Sequence, residues 1–202
     1  CAEEALVRFR AHWACIICPD DWLIGPLRGC GYAPHTHLVT YRETSHTDNS
    51  SLVRCALEHH PFSVRKADRN DVSALLFLDS EVFEPFWQLD EQFMRRAIQA
   101  DYLLVATRGE RMVGYILAQK HGNNAHIARL GVSSIDRRRG VGACLITHTI
   151  GDLVRQGVSH FWLETQENNL ISRKFYEKLG FRLIGKPREL WAKSLSANIA
   201  NF

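Results

Sequence analysis

A turn of three arginines and two glycines constrains this chain more than any other stretch of its sequence. The turn, Arg137-Arg138-Arg139-Gly140-Val141-Gly142-Ala143, lies between a strand-like run over 125–132 and an apolar, helix-like run that begins at Val141. Such a turn offers unpaired backbone N–H groups and the positive end of a helix dipole, and glycine lets a ligand approach closely. The pattern predicts a phosphate-binding turn. An ordinary glycine turn with a solvated basic run is the alternative that this stretch alone leaves open.

The composition is that of a globular protein without a strong charge bias. Of the 202 residues, 46% are hydrophobic and 23% charged, and the net charge is +3. This charge is too small to argue for a nucleic-acid partner, and no apolar run is long enough to span a membrane. The pair Cys15 and Cys18 is not accompanied by a second C-x-x-C pair, so we expect no metal site. We expect the cysteines to be free thiols, which suits a protein in the reducing cytoplasm. Because the chain begins with Cys1, we also expect further residues ahead of it in the protein.

The pattern along the chain divides it into three parts. Residues 1–43 contain a charged, helix-like start through Arg10 and a later apolar strand, and residues 44–61 form a polar, turn-prone linker. Residues 62–202 run strand, two helices, three strands, helix, strand, helix and two strands. This order predicts an α/β domain with a mixed, mostly antiparallel sheet flanked by helices. We expect helices over 72–82 and after Asp90, and separate closing strands over 181–184 and 189–192.

Two motifs within residues 62–202 resemble those of the GNAT N-acetyltransferases. Arg137-x-x-Gly140-x-Gly142 matches the turn with which that family holds the pyrophosphate of acetyl-coenzyme A. Asn169, Tyr176 and Gly180-Phe181 match a second, independent pattern further along the chain. Both motifs occur in the family's order, with the expected strands between them. The chain is therefore similar to this family, and in particular to its ribosomal-protein alanine N-acetyltransferases.

The resemblance implies acetyl-coenzyme A as co-substrate. In the family, the strand ahead of the turn separates from its neighbour, and its backbone groups hold the pantetheine arm and polarise the thioester carbonyl. Asn169 would hydrogen-bond the cofactor. The implied cofactor-binding residues are Leu130, Gly131, Val132, Arg137, Arg138, Arg139, Gly140, Val141, Gly142, Ala143, Asn169 and Tyr176.

The resemblance also suggests which side chains move protons. Tyr176 matches the residue assigned to protonate the departing thiolate; a packed helical aromatic is the alternative. The family's usual Glu on the strand before the turn is missing, because His126, Ala128 and Arg129 stand there. Glu164, twelve residues before Tyr176, has the spacing of the ribosomal-protein enzymes and is our candidate base; a solvent-facing carboxylate is the alternative. His126 ranks second as a proton relay.

The loop over 81–90 corresponds to the family's acceptor side, and its Glu84, Phe86 and Trp87 are candidate substrate-binding residues. Aromatic rings beside carboxylates suit a cationic amine, although Phe83 and Phe86 could instead pack under the helices. The implied reaction is direct acetyl transfer to a primary amine, either a protein N-terminus or a small molecule. A non-catalytic acyl-coenzyme A-binding module, regulatory or for assembly, is the rival. Whether the protein forms a homodimer stays open.

Residues 1–43 weakly repeat the C-terminal half of the chain. Trp13–Ile17 parallels Phe161–Leu163, and Leu27–Tyr32 parallels Tyr176–Phe181. We therefore expect a partial, degenerate GNAT-like half-domain in which the arginine-glycine turn is missing and no cofactor binds. Its sheet edge would have to pair with the catalytic domain over 62–202 or with a partner.

Overall fold

The computed structural model describes residues 8–10, 13–18, 21–43 and 61–195. The predicted linker, apart from Pro61, lies outside the described residues. Among the described residues, no helix combines the length and the apolar character that crossing a membrane requires. The strands are β1 (Arg8–Arg10), β2 (Trp13–Cys18), β3 (Ala33–Glu43), β4 (Ser63–Lys66), β5 (Tyr102–Arg108), β6 (Arg111–His121), β7 (Asn124–Val132), β8 (His160–Gln166) and β9 (Phe181–Ser194). The α-helices are α1 (Ile24–Gly29), α2 (Val72–Val82), α3 (Glu91–Ala100), α4 (Val141–Arg155) and α5 (Leu170–Lys178).

The chain folds into two compact units. The large unit contains the described residues within 41–163 and 175–182. The small unit contains those within 1–40, 164–174 and 183–202. These units are defined by chain contacts, whereas the boundaries predicted above, 1–43, 44–61 and 62–202, divide the chain by sequence and remain a prediction.

The large unit is built on a mixed sheet in the order β8-β7-β6-β5-β4. Neighbouring strands from β4 to β7 are antiparallel, and β7 and β8 are parallel. Antiparallel neighbours need only short hairpins, whereas the parallel pair needs a crossover, and α4 provides it. The predicted fold class, a mostly antiparallel mixed sheet with helices, is confirmed.

Helices cover both faces of this sheet. Leu75 and Leu78 of α2 and Met94 of α3 form a buried cluster with Leu117 and Tyr115 of β6. Successive strand residues point to opposite faces, so Gly114 faces the other side. There a Cβ on Gly114 would lie 2.8 Å from Val141 and 3.2 Å from Leu145 of α4. Helices α2 and α3 therefore pack on one face and α4 on the other.

The predicted helices begin and end close to where their capping residues lie. Helix α2 spans Val72–Val82, as expected, and Asp90 accepts a hydrogen bond from the N–H of Phe93 at the start of α3. Two expectations were wrong. Arg8–Arg10 forms a strand instead of the end of a helix, because it pairs with β2; the rest of that predicted helix, residues 1–7, lies outside the described residues. The two predicted closing strands are the single strand β9. Gly185 has φ of +67°, a conformation through which glycine lets the strand continue.

The small unit has its own strand pairs and its own buried cluster. Strand β2 pairs antiparallel with β1 on one side and, from Trp13–Ser194 to Cys18–Glu189, with β9 on the other. Ile16, Leu27 and Trp191 form its buried cluster. Strand β2 is thus paired on both of its sides, and the half-domain hypothesis stays a prediction.

Asp71 connects β4 to the start of α2. Its Oδ2 accepts from the backbone N–H of Asp68 at 2.8 Å, which completes a capping box. Its two carboxylate oxygens accept from Nη1 and Nη2 of Arg65, at 2.7 Å each. These hydrogen bonds, chiefly those from Arg65, lower the pKa of the Asp71 carboxyl below its ordinary value.

Replacing Asp71 by Asn should reduce the free energy of unfolding at neutral pH by about 1–2 kcal/mol, a range that allows for the partly exposed Arg65. Because the folded-state pKa is lowered, the carboxylate stabilises the fold above the ordinary Asp pKa, and this contribution disappears as the pH falls through the lowered value. Urea unfolding of wild type and variant across the acid range measures this. Glu91→Gln, which removes the exposed pair with Arg95, is the control and should have a smaller effect. A difference that persists unchanged at the lowest pH would contradict this assignment.

Candidate functional site

Strand β7 contains a bulge at its centre. Ala118 of β6 is opposite Ile127, but the next residue, Leu117, is opposite Arg129, so Ala128 is extra. An extra residue reverses which face the later side chains occupy. As a result, Arg129 and Gly131 face α2, whereas Leu130 and Val132 face α4, where both lie 3.6 Å from a Cβ built on Gly142.

The second half of β7 has one strand neighbour within the large unit. The parallel pairing with β8 covers Asn124–Ile127, and among the described residues of this unit Arg129–Val132 pair with β6 alone. The opposite backbone edge at Leu130, Gly131 and Val132 is therefore not used by another strand of the unit. The pantetheine contacts expected of these residues stay a prediction.

The arginine-glycine turn contains two residues in the left-handed conformation and leads directly into a helix. Arg138 has φ of +59° and Gly140 has φ of +83°, so both are left-handed. Helix α4 then begins at Val141, and the first amides of an α-helix have no partner within the helix. The unpaired amides at the start of a helix, together with the helix dipole, favour a phosphate. Arg137, Arg138 and Arg139 are exposed around this turn.

Two carboxylates hold the segment that leads into the turn. Asp136 is 1% exposed and lies 2.6 Å from Nη2 of Arg111 and 2.9 Å from Nη1 of Arg108. Glu81, at the end of α2, accepts from the backbone N–H of Ser134 at 3.0 Å and from the hydroxyl of Ser133 at 2.9 Å. The Ser134 N–H, followed by the serine hydroxyls, lowers the pKa of the Glu81 carboxyl. The segment that precedes the turn is therefore held by α2 and by the β5–β6 hairpin.

Two predicted glycines are needed for packing. A Cβ on Gly131 would lie 2.6 Å from Cε1 of Tyr115, and a Cβ on Gly142 would lie 3.2 Å from Cζ of Phe175. The first distance is too short for any side chain, and the second is tight. Phe175 of α5 thus packs directly on the first turn of α4.

Tyr176, the next residue, is buried among aromatic rings. Its ring centroid lies 6.3 Å from that of Tyr41, 5.3 Å from Phe175 and 6.0 Å from Phe181. Desolvation by this burial raises the pKa of the Tyr176 phenol to about 12. The phenol consequently keeps its proton throughout the neutral and mildly alkaline range.

The candidate base Glu164 is part of an ion pair. Its Oε1 accepts from Arg188, and the hydroxyl of Thr40 lies 3.5 Å from the same oxygen. Its side chain is 12% exposed, so the alternative of a solvent-facing carboxylate does not describe its surroundings. Both partners belong to the small unit, as Glu164 does.

Two other polar candidates already have structural contacts. The Oδ1 of Asn169 accepts from the N–H of Ser172 at 3.1 Å in the first turn of α5, and Nδ2 is the donor of this side chain. His126 is 5% exposed and stacks on Trp162 with 3.8 Å between ring centroids. No group of three or more His, Cys, Asp or Glu side chains suited to a metal occurs in the part of the chain that the structure describes.

The α2–α3 loop, residues 83–90, contains the predicted acceptor residues. Glu84 is exposed, whereas Phe86 is buried and meets Trp87 edge to face at 4.8 Å. An ion pair that was not predicted from the sequence holds this loop. Asp79 pairs with Arg129 at 2.7 Å, and their side chains are 1% and 8% exposed. A signal was present, because Asp79 lies four residues after the buried Leu75 and therefore on the apolar face of α2.

Comparison with known families agrees with this geometry. The model of the acetyltransferase (GNAT) family matches residues 72–181, more than half of the chain. The chain belongs to the GNAT family. The matched region contains the bulged strand, the arginine-glycine turn and Tyr176, so the resemblance noted in the sequence is confirmed.

Individual relatives and solved structures point the same way. The chain is 33% identical over 78 residues to the ribosomal protein bS18 alanine N-acetyltransferase of Salmonella typhimurium, covering 39% of this chain and 53% of that protein. It spans about half the length of the curated relatives it matches. The structure of the corresponding Escherichia coli enzyme aligns with a TM-score of 0.57 at 19% identity, covering 70% of this chain and 98% of that one. A tandem GNAT protein from clavulanic acid biosynthesis aligns with a TM-score of 0.62 at 13% identity, covering 90% and 63%. At these identities the structures show the shared fold.

The left-handed Gly140 provides a direct test of the turn. Gly140→Ala should lower the free energy of unfolding by about 1–2 kcal/mol, because an L side chain is strained at positive φ. Gly151→Ala is the matched control within α4. A Cβ there would be 3.7 Å from Arg155, an ordinary contact, so alanine should stabilise the helix by about 0.5–1 kcal/mol. Urea unfolding of both variants measures this, and equal shifts of the same sign would show that Gly140 is not strained.

Proposed function

We propose that this protein is an N-acetyltransferase that moves an acetyl group directly from acetyl-coenzyme A to a primary amine. The observation that carries the proposal is the packing of Phe175 on the first turn of α4 at Gly142. It places Phe175, the neighbour of the buried phenol of Tyr176, against the turn suited to phosphate, and all of these residues belong to the large unit. A phosphate-binding turn alone would suit many ligands. Together with a buried, protonated phenol it suits an acyl thioester whose thiolate must be protonated.

The residues present fit coenzyme A. The amides at Val141, Gly142 and Ala143, with the exposed guanidinium groups of 137–139, supply the donors and charge that a pyrophosphate needs. The backbone edge at 130–132 suits the amides of a pantetheine arm, and Nδ2 of Asn169 can donate to the cofactor. When bound, acetyl-coenzyme A supplies the acetyl group as an activated thioester.

In the proposed reaction the amine lone pair forms a bond to the acetyl carbonyl carbon and the carbon–sulfur bond breaks. The backbone N–H groups along 130–132 polarise the carbonyl oxygen. Tyr176 donates its phenolic proton to the leaving sulfur. Its raised pKa keeps that proton in place until the sulfur becomes negative.

Glu164 is proposed to remove the proton from the attacking ammonium, directly or through water. This assignment is supported by the spacing to Tyr176 and by a partly buried carboxylate that Arg188 and Thr40 hold through Oε1. Oε2 would then take the proton. His126, buried against Trp162, ranks below it as a relay.

We propose a peptide N-terminus as the acceptor. The relative named above is an alanine N-acetyltransferase of ribosomal protein bS18, and the twelve-residue spacing from Glu164 to Tyr176 is the one that the resemblance to such enzymes implies. On the α2–α3 loop, the exposed Glu84 and the partly exposed Trp87 would meet the cationic amine, and the buried Phe86 would support Trp87. We further propose a cytoplasmic location, which suits the exposed free thiol of Cys30.

The proposal is tested by measuring thiol release from acetyl-coenzyme A in the presence of candidate acceptors. The acceptors are short peptides beginning with Ala, Ser or Met, small diamines and an N-terminally blocked peptide. A free N-terminus should stimulate turnover and the blocked peptide should not. If the protein binds acetyl-coenzyme A but no acceptor stimulates release, the rival acyl-coenzyme A-binding module is correct.

Tyr176→Phe should lower kcat by about 10²–10⁴-fold, the usual contribution of general acid catalysis, and leave acetyl-coenzyme A affinity within about twofold. Because the pKa of Tyr176 is raised to about 12, wild-type kcat should not fall between pH 8 and 10 through loss of this proton. Tyr41→Phe, which removes a hydroxyl that donates to Glu177 at 2.8 Å, is the matched control. Equal loss of activity in both variants would assign the effect of Tyr176→Phe to packing.

Glu164→Gln should lower kcat by about 10²-fold or more if the carboxylate takes the ammonium proton. Arg188→Met removes the ion pair but keeps the carboxylate, so its kcat should stay well above that of Glu164→Gln. Glu167→Gln, at an exposed position three residues on, is the neutral control. If Arg188→Met and Glu164→Gln lose activity and thermal stability in parallel, Glu164 has a structural role only.

A further inference from the structure

We propose that Arg129 is a positioning residue that fixes the α2–α3 loop onto β7 and thereby sets the affinity for the acceptor amine. The inference rests on the proposed function, since only that function makes this loop the acceptor side. The physical link itself, between one guanidinium and the loop, stands on the structure of the large unit.

One end of the Arg129 side chain belongs to a buried polar cluster. Its Nε donates to Oδ1 of Asp79 at 2.7 Å and to the hydroxyl of Tyr115 at 2.8 Å. The Tyr115 hydroxyl in turn donates to the same carboxylate. Asp79 is 1% exposed, so neither charge is hydrated and each depends on the other.

The other end of the guanidinium holds the loop. Nη2 of Arg129 donates to the backbone carbonyl of Trp87, and Cζ lies 3.7 Å from the centre of the Phe83 ring. Asp79 contributes a second attachment, because its Oδ2 accepts from the N–H of Leu89 at 2.8 Å. The loop is thus attached at its start, middle and end to a single ion pair.

The ion pair also relates the loop to the strand proposed to hold the thioester. Arg129 directly precedes Leu130, Gly131 and Val132, whose backbone is the proposed site of the acetyl carbonyl. The ion pair therefore fixes the position of the loop relative to this strand. An amine bound by the loop would be held in a fixed position relative to the reacting carbon. Small errors in such alignment reduce the efficiency of reaction.

Arginine is required for this role because of its shape. The planar fork lets Nε reach a carboxylate while Nη2 reaches a carbonyl on another segment. Lysine can pair with Asp79 but offers a single point charge, so it cannot hold both partners in the same geometry. Arg129→Lys consequently removes the loop contact while it keeps the charge balance of the cluster.

The experiment compares Arg129→Lys with Tyr115→Phe, which weakens the cluster but keeps the contact between Arg129 and Trp87. Arg129→Lys should raise KM for a short peptide with an N-terminal alanine by about tenfold or more, as loss of one charge-assisted hydrogen bond implies. KM for acetyl-coenzyme A should change by less than about twofold. In the absence of both substrates, amide hydrogen exchange over residues 83–90 should speed up in Arg129→Lys and remain near wild type in Tyr115→Phe.

Unchanged exchange over 83–90 in Arg129→Lys would overturn the proposal, as would equal effects of the two variants on peptide KM. If neither the wild type nor any variant transfers acetyl groups, the proposed function is wrong. Faster hydrogen exchange over 83–90 in Arg129→Lys would then confirm only that Arg129 holds the loop. If Arg129→Lys does not fold, the proposal is tested instead by NMR of the wild-type protein. The Arg129 side-chain N–H signals should shift on adding the peptide, and no shift would refute the role.

Discussion

Two opposite charges buried together connect four segments of the large unit. Asp79 on α2 and Arg129 on β7 pair at 2.7 Å, Tyr115 of β6 contacts both, and the α2–α3 loop is attached through Trp87 and Leu89. Removing one partner of such a pair leaves an uncompensated buried charge, which lowers the free energy of unfolding by about 3–5 kcal/mol. The ion pair therefore stabilises the arrangement of these four segments. Gly131 belongs to the same constraint, because the Tyr115 ring occupies the space of its missing side chain.

The bulge at Ala128 lets one strand serve two purposes. Before it, Ile127 faces α4; after it, Leu130 and Val132 do so again, although the spacing from 127 to 130 is odd. The extra residue also turns Arg129 toward α2. The face toward α4 therefore supports the helix whose first turn suits phosphate, while the face toward α2 carries the ion pair that holds the loop. Both depend on the register that the bulge sets.

The sequence predicted what local signals determine. Asp68 and Asp90 are capping residues beside apolar periodic runs, and the structure confirms the helices they begin. The arginine-glycine turn was also recognisable locally, because a helix start and a left-handed glycine depend on neighbouring residues. The odd spacing of Ile127, Leu130 and Val132 was visible, but it could be understood as a bulge only with the partner strand known.

Contacts between distant residues could not be predicted in this way. Asp79 and Arg129 are 50 positions apart, and Arg188 lies 24 positions beyond Glu164. Which charges meet depends on strand register and helix placement, which no local pattern specifies. The same holds for β9: the sequence Gly185-Lys186-Pro187 resembles a turn, but pairing with β2 stabilises an extended chain beyond it. The proposed roles of Tyr176, Glu164 and the turn residues remain predictions, now with surroundings that make each one testable.

The described part of the N-terminal segment has an order of elements that occurs again near the end of the chain. In the structure β2, α1 and β3 follow one another as β8, α5 and β9 do, and Gly31 and Gly180, each after the helix, have φ of +82° and +89°. This parallel supports the half-domain hypothesis at the level of element order. The half-domain itself stays a prediction. Strand β2 pairs with β9 from Glu189 to Ser194, and this pairing covers a strand edge that would otherwise invite aggregation.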